Sequence, residues 1–245
     1  MDALSISAAS GMRSRMESLD LLANNIANAN TTGFKADREF YNLYVSPEAM
    51  EGAERPDTLP VVERHWTDFS QGLTAPTGNP LDVALAGKGF FAVDGQNGTL
   101  YTRNGNFTIT AAGKLQTQDG YAVRGEDGKP IKADPTKAVA ISTDGTVRQD
   151  GQALGRIAVV DIPQQQDLRK LGSTYFQMND VKAIVKAATG TEVQQGRLEG
   201  ANGAPAEHAV RLVSVMRQFE MLQRALSIGG EMNKKAIEEV ARVSS

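Results

Sequence analysis

Residues 21–40 read LLANNIANANTTGFKADREF. Four asparagines (Asn24, Asn25, Asn28, Asn30) and two threonines (Thr31, Thr32) follow directly on a run that favours helix. Asparagine is poor in a helix interior because its amide competes for backbone hydrogen bonds, and it tolerates left-handed φ. Asn28 to Gly33 therefore reads as the cap that ends a helix. A cap does not account for Asn24-Asn25, which lie a turn earlier and flank Ile26. On a helix that pairs with another, buried amides cost stability and fix register and the choice of neighbour. The stretch predicts an N-terminal helix over residues 1–34 with a selective contact face.

Upstream, apolar or small residues fall at Leu4, Ala8, Met12, Met16, Leu19, Leu22, Ile26 and Ala29, mostly in steps of three and four, which is one helical stripe. Serine and alanine fill much of the rest, so the stripe is thin and an isolated helix would be marginal. A second stripe, behind Pro205, runs through Leu212, Val215, Phe219, Leu222, Leu226, Ala236 and Val240. Gly229-Gly230 predicts a kink or break within it. Its length favours a coiled-coil-like partner, with Leu222 and Leu226 expected to meet Leu19, Leu22 and Ile26.

Between the stripes the texture changes. GFFAVD, TLYTR, NFTIT, KLQTQ, YAVRG, AVAIST, TVRQD and RIAVVDI are short runs rich in β-branched and aromatic residues. Turn signals separate them, among them Asp119-Gly120, Asp127-Gly128, Asp144-Gly145 and Asp150-Gly151. ITAAGKLQTQDG and ISTDGTVRQDGQ look alike and read as two similar hairpins. Residues 35–66, with Pro47, Gly52, Pro56 and Pro60 and no clear period, read as an extended arm or linker. The expected fold is α+β: helices at residues 1–34 and 201–245 form a paired, coiled-coil-like stem, and an all-β domain over residues 67–200 is inserted between them.

Composition narrows the function. The 245 residues are 40% hydrophobic but only 6% aromatic, so a core is expected to be built from Ala, Val, Leu and Ile. A net charge of -3 with both signs interspersed offers no basic field for nucleic acid. Cysteine is absent, which removes disulfides, thiol catalysis and thiolate metal sites together. MDALSISAASGMRSR has Asp2 where a signal peptide carries basic residues, so any export is expected to use no cleaved peptide. No apolar run approaches the roughly 18 residues of a membrane span, so no membrane insertion is expected.

The chemical inventory is equally thin. The two histidines, His65 and His208, lie far apart in different regions. Gly87-Lys88-Gly89 lacks the upstream glycine and the following Ser/Thr of a phosphate loop, and reads as a turn into the strand at Phe90. Most aspartates adjoin glycine, where their side chains bond nearby amides. No catalytic set, metal site or cofactor is expected. An all-β enzyme working through turn aspartates, and a soluble coiled-coil adaptor, are the alternatives of other classes.

Four stretches carry a likeness to a known family. LLANNIANANTTGFK (21–35) resembles the N-terminal signature of the flagellar rod and hook proteins, the axial proteins of the bacterial flagellum. TDFSQGLTAPTGNPLDVALAGKGFFAV (67–93) and YTRNGNFTITAAGKLQTQDGYAV (101–123) are similar to that family's β domain. VRLVSVMRQFEMLQRAL (210–226), with GGEMNKKAIEEVARV behind it, is similar to its closing helix. The chain length, TDFSQG and MRQFEM are most like the proximal-rod members. Distal-rod members usually carry an Arg-Ala-Tyr-Glu-like segment where this chain has Arg217-Gln218-Phe219-Glu220, and a distal-rod or hook-type axial protein is the alternative within the family.

The resemblance implies a structural subunit of the basal-body rod, passed unfolded through the type III export apparatus and polymerised helically in the periplasm. Its partners would be copies of itself and neighbouring rod proteins, with no nucleic acid, membrane insertion, metal or cofactor. The residues expected at the assembly interface are Leu4, Leu19, Leu22, Asn24, Asn25, Ile26, Asn28, Thr32, Gly33 and Phe34 from the N-terminal region. Leu212, Val215, Phe219, Leu222 and Leu226 join them from the C-terminal region.

Overall fold

The computed structural model describes residues 3–45, 58–179 and 185–243. The chain forms two compact units, one within residues 1–27, 37–67 and 204–245 and the other within residues 28–36 and 68–203.

The first unit holds helix α1 (Ala3–Ala27), strands β1 (Asp37–Val45) and β2 (Thr58–Thr67), and helix α2 (Pro205–Val243). Helix α1 stops at Ala27 and not at position 34, and the asparagine-rich residues beyond it are turns and extended chain. Where an arm or linker was expected, β1 and β2 pair antiparallel from Asp37 opposite Thr67 to Val45 opposite Thr58, with one register shift between Phe40 and Tyr41. Proline hid this pairing from the pattern. In a two-stranded ribbon both strands are edges, and an edge accepts proline such as Pro60. Helix α2 opens with Pro at its first position and runs unbroken through Gly229-Gly230. Two glycines cost about 1 kcal/mol each relative to alanine, which the good helix formers around them offset.

The second unit is all-β apart from a short 3-10 turn at Gln165–Asp167. Its main sheet is built on β5 (Phe90–Gly95), which pairs antiparallel with β6 (Gly98–Thr102) on one side. On the other side lie β9 (Ala122–Val123) and β13 (Val159–Asp161). Beyond β6 come β15 (Tyr175–Met178) and β14 (Leu168–Leu171), and beyond β9 come β8 (Leu115–Thr117) and β7 (Phe107–Ile109). The continuous apolar run Phe90–Val93 follows from burial of both faces of β5. Phe91 and Val93 enter one core cluster, with Leu100, Phe107 and Val147 among its members, and Phe90 and Ala92 enter another with Tyr101 and Phe176. In the second cluster the Phe69, Phe90 and Phe176 rings meet edge to face at 5.0 to 5.8 Å.

The two look-alike hairpins share one loop geometry. Gly113 N–H donates to Thr110 O and Thr110 N–H to Lys114 O; likewise Gly145 N–H donates to Ser142 O and Ser142 N–H to Thr146 O. The glycines stand at φ 78° and 84°, which the three-residue loop with a bulge requires. Three smaller sheets complete the unit. They comprise β10 (Ala140–Ile141), β11 (Thr146–Gln149) and β12 (Gln152–Arg156); β4 (Val83–Ala86) with β17 (Glu192–Gln195); and β3 (Thr74–Pro76) with β18 (Arg197–Glu199).

Candidate assembly site

Two arrangements account for the residues singled out in the sequence, one in each unit. In the first unit α1 and α2 contact each other. A Cβ on Gly11 would lie 3.4 Å from the Leu222 Cδ1, in ordinary contact, so Leu222 packs over Gly11. The face of α1 that is withdrawn from solvent runs through Ser14, Ser18, Leu22 and Asn25; of the expected stripe Leu22 is buried, Met12, Leu19 and Ile26 are half-buried, and Met16 is 54% exposed. Small residues let a neighbouring helix come close. Ser18 meets its own need locally by donating to Ser14 O at 3.1 Å. On α2, Val215 is buried and Leu212, Phe219, Leu222 and Leu226 are half-buried, with exposed residues on either side.

The ends of the helices fix their sense. Asn25, near the end of α1, donates through Nδ2 to Asp37 O at 2.8 Å and accepts Asp37 N–H on Oδ1 at 3.0 Å. Glu39, two residues along β1, receives Arg211 from the start of α2 at 3.1 Å. The end of α1 and the start of α2 therefore flank the same strand, and the helices are antiparallel. This register puts Leu222 opposite Gly11, about 12 Å along the axis from Leu19 at 1.5 Å per residue. The predicted meeting of Leu222 with Leu19, Leu22 and Ile26 is thus corrected. Leu19 and Ile26 are half-buried, Asn24 is exposed, and the side chain of Leu4 lies outside the described residues. The Asn25 amide is committed to the backbone of β1, which needs an acceptor and a donor at its first residue.

In the second unit, residues 28–36 lie against chain from far along the sequence. Gly33 has φ 70°, and a Cβ there would stand 2.3 Å from Asn104 N. The Gly33 N–H donates to Glu199 O at 2.7 Å, and Thr32 Oγ1 donates to Asn104 Oδ1 at 2.9 Å. The Thr31 hydroxyl donates to Asn28 Oδ1 at 3.3 Å. Phe34 is fully buried, with the Lys170 ammonium 4.2 Å from its ring centre, and Lys170 also donates to Lys35 O. Asn202 donates to Asp68 O and accepts Ala36 N–H, tying this segment to the chain just after β2.

At its centre is a buried charge cluster absent from the sequence reading. Lys35 and Glu199 are 0% exposed at the side chain and Arg103 is 4% exposed. Lys35 Nζ donates to Glu199 Oε1 and to Ser70 O, both at 2.6 Å. Glu199 Oε1 also accepts Gly72 N–H at 2.9 Å, and Arg103 donates to Glu199 Oε2 at 3.1 Å and to Gly87 O at 2.7 Å. Arg103 Nε is buried without an acceptor. Burial pushes the Lys35 ammonium below the ordinary lysine range; Glu199 opposes this and Arg103 adds to it. Two cations share one carboxylate here, with Asp68 a weaker opposing charge.

The remaining candidates serve local structure. Asp127, Asp134 and Asp144 each accept the N–H two residues on, as turn aspartates do. The Gly87 N–H is taken by Gln71 Oε1 and its carbonyl by Arg103, so this turn does not present a free cradle for phosphate. His65 is exposed. His208 Nε2 is buried without a partner, and burial lowers its pKa; Glu207 opposes the effect and Arg211 and Arg38 add to it. Among the described residues no cluster of His, Asp and Glu is placed to hold a metal, and no helix is long and apolar enough to cross a membrane.

Two antiparallel helices with a strand ribbon, and a separate all-β unit, offer surfaces and a buried charge cluster, and comparison with known proteins supplies the family. Three family descriptions match in chain order: "Flagella basal body rod protein" over residues 7–35, "Flagellar hook protein FlgE/F/G D1 domain" over 84–149, and "Flagellar basal body rod FlgEFG protein C-terminal" over 194–239. The chain is 33% identical to the flagellar basal-body rod protein FlgF of Caulobacter vibrioides, covering 92% of this chain and 93% of that one. It is 31% identical to the FlgG proteins of Agrobacterium fabrum (95% and 97% covered) and Bacillus subtilis (94% and 96%). The chain belongs to the flagellar basal-body rod protein family, as a structural subunit of the basal-body rod.

Proposed function

We propose that this chain is a proximal-rod subunit of the FlgF type, without catalytic activity. It is exported unfolded through the type III apparatus and polymerised helically in the periplasm with copies of itself and neighbouring rod proteins. The product is the hollow shaft that carries torque from motor to hook. The α1–α2 pair forms a coiled-coil-like stem on the tube side of the subunit. The observation that carries this reading is the distribution of exposed apolar side chains. Of the twelve large hydrophobic residues left exposed among the described residues, Val210, Val213, Met216, Met221, Ile228 and Met232 lie on α2 alone. A single helix that already has one partner and still shows this much apolar surface is built for further helix neighbours.

The interface residues read from the sequence are assigned accordingly. Leu22, Asn25, Val215, Leu222 and their neighbours hold the stem, and Thr32, Gly33 and Phe34 set the chain beyond it. Cryo-EM of basal bodies purified from a strain with this chain tagged tests the reading. Label in the rod at its motor-proximal end is expected. Label at the hook-proximal end favours the distal-rod type instead, a reading supported by the FlgG relatives. No label in the basal body overturns both.

A further inference from the structure

The sequence holds three Asn-Gly pairs, Asn97-Gly98, Asn104-Gly105 and Asn202-Gly203. In each, the glycine nitrogen lies one ring closure from the asparagine side-chain carbonyl carbon, and no Cβ on the glycine shields it. The fold treats the three differently. Asn104 Oδ1 accepts the Thr32 hydroxyl at 2.9 Å and Asn106 N–H at 3.1 Å. Gly105 is buried, and its carbonyl accepts Val83 N–H at 3.0 Å. A Cβ on Gly105 would stand 1.7 Å from Val83 O, so that peptide has no room to turn. Asn202 Oδ1 accepts Ala36 N–H at 2.7 Å, and its Nδ2 donates to Asp68 O at 2.6 Å. Asn97 stands instead at the tip of the β5–β6 hairpin, where Gly95 faces Gly98 across the loop. Gln96, Asn97 and Gly98 are exposed, and a Cβ on Gly98 would meet nothing within 4 Å. Among the described residues nothing bonds the Asn97 amide.

We propose that Asn97 is a site of spontaneous deamidation through a succinimide, and that the fold protects Asn104 and Asn202 from the same reaction. The Gly98 nitrogen, having lost its proton to base, attacks Asn97 Cγ. The bond from Gly98 N to Cγ forms, the bond from Cγ to Nδ2 breaks, and the amide group takes up a proton and leaves as ammonia. Water then opens the ring at either carbonyl. Its hydroxyl stays on the carbonyl carbon and its proton goes to the released nitrogen, with no change of oxidation state. Opening at Cγ leaves aspartate at position 97 in the ordinary chain. Opening at the backbone carbonyl leaves isoaspartate, whose main chain runs on through Cβ and Cγ and is one atom longer. Either product adds one negative charge to a chain of net charge -3. The disturbance is confined to the tip. At the next cross-strand pair Arg124 holds both Asp94 and Thr99 at 2.8 Å, so the strands below keep their register. At Asn104 and Asn202 two hydrogen bonds must open before the ring can close, which slows the reaction by about tenfold or more.

Cleavage after lysine and arginine puts each pair on its own peptide, residues 89–103, 104–114 and 198–211. The full-length chain is incubated at neutral and alkaline pH, folded and in denaturant, then digested briefly and read by mass spectrometry. In the folded chain the 89–103 peptide is expected to convert from amide to acid, and the other two about tenfold or more slowly. In denaturant all three are expected to convert at similar rates. Conversion should be faster in alkali, because the attacking nitrogen must be deprotonated, and water enriched in heavy oxygen should leave its label at position 97. Asn97→Gln must close a larger ring and is expected to lose the acidic species while keeping the melting point. Asn97 that stays intact in the folded chain overturns the inference, whether or not it converts in denaturant. So does conversion of Asn104 or Asn202 in the folded chain as fast as Asn97, or an Asn97→Gln chain that turns acidic at the parent rate. The reaction needs no partner, so none of these outcomes touches the rod-subunit reading.

Discussion

The buried cluster predicts an asymmetry that surface ion pairs would not show. Lys35 and Glu199 are partners at 2.6 Å, yet replacing them should have very different costs. Glu199→Gln leaves the Lys35 ammonium and the Arg103 guanidinium buried together without a carboxylate. Breaking a buried pair from one side costs about 3–5 kcal/mol. In a domain of about 150 residues, at roughly 3 °C per kcal/mol, that is a fall in Tm of about 10–15 °C. Lys35→Met keeps the length of the side chain and removes the surplus cation, and Glu199 retains Arg103 and the Gly72 N–H. It forfeits two short bonds from Nζ, each worth about 1.5–3 kcal/mol. Against that it lifts the burial of an ammonium, a cost of several kcal/mol. The net loss should be about 0–2 kcal/mol. The sign with pH follows from the lowered pKa of Lys35. Its penalty is fully present below its folded-state value and is relieved as pH rises through that value toward 10.5. The difference in stability between native chain and Lys35→Met should therefore shift in favour of the native chain over that alkaline window. Denaturant unfolding of full-length chains at neutral and alkaline pH reads both effects. If Lys35→Met costs as much as Glu199→Gln, the surplus-cation reasoning is wrong.

Gly33→Ala should cost about 3 kcal/mol or more, from left-handed φ and a methyl driven into the Asn104 backbone; a melting curve within experimental error of the parent refutes the close approach. Asn25→Ala removes two bonds to the backbone of Asp37 and should cost about 2–3 kcal/mol, whereas Asn24→Ala, at an exposed site, should stay within about 0.5 kcal/mol. Equal effects in thermal unfolding would restore a shared role for the two amides. His208 has its folded pKa lowered, so the stability tied to its neutral ring is fully present above 6.5 and is lost as pH falls through the folded-state value. His208→Gln should flatten that acid slope, read by melting on both sides of pH 6.5. Leu222→Ala, opposite Gly11, should lower the transition of the helical unit, and Val93→Ala that of the β unit, each by about 2–5 kcal/mol or somewhat less for valine. Calorimetry resolving a single joint transition that moves equally with either change would refute two separately stabilised units.

The eight short runs read as strands all contain strands of the second unit, and the Asp-Gly and Ala-Gly pairs fall in its tight loops. Both were legible because a hairpin states its turn and its two flanks within about a dozen residues. Lys35 and Glu199 were not legible, being 164 positions apart. Composition assigns lysine and glutamate to the solvated surface unless something pairs them, and the pairing is a tertiary fact. The nearest local signal was the oddity of Thr-Thr-Gly-Phe-Lys itself: a glycine and a large aromatic directly after a helix end call for a socket, and the socket is built from residues 68–72, 103–104 and 199–202.

The helix stripe on α1 was legible in Leu22, which is buried, but not in Met16, which is exposed. Apolar periodicity finds the buried face of a helix whose stability comes from side-chain area. Gly11 lies against Leu222 of α2, and the buried residues Ser14 and Ser18 contribute little apolar area. That choice leaves Met16 outside, 54% exposed, on the same strip as Asp20 and Ala23. The asparagines at the end of the helix then take up the work of the backbone: Asn25 satisfies the first residue of β1 on both its groups, and Asn28 holds the Thr31 hydroxyl beside the turn. The polar density that opened the sequence reading is what it takes to end a helix and start a strand within about ten residues while giving the backbone groups between them their partners.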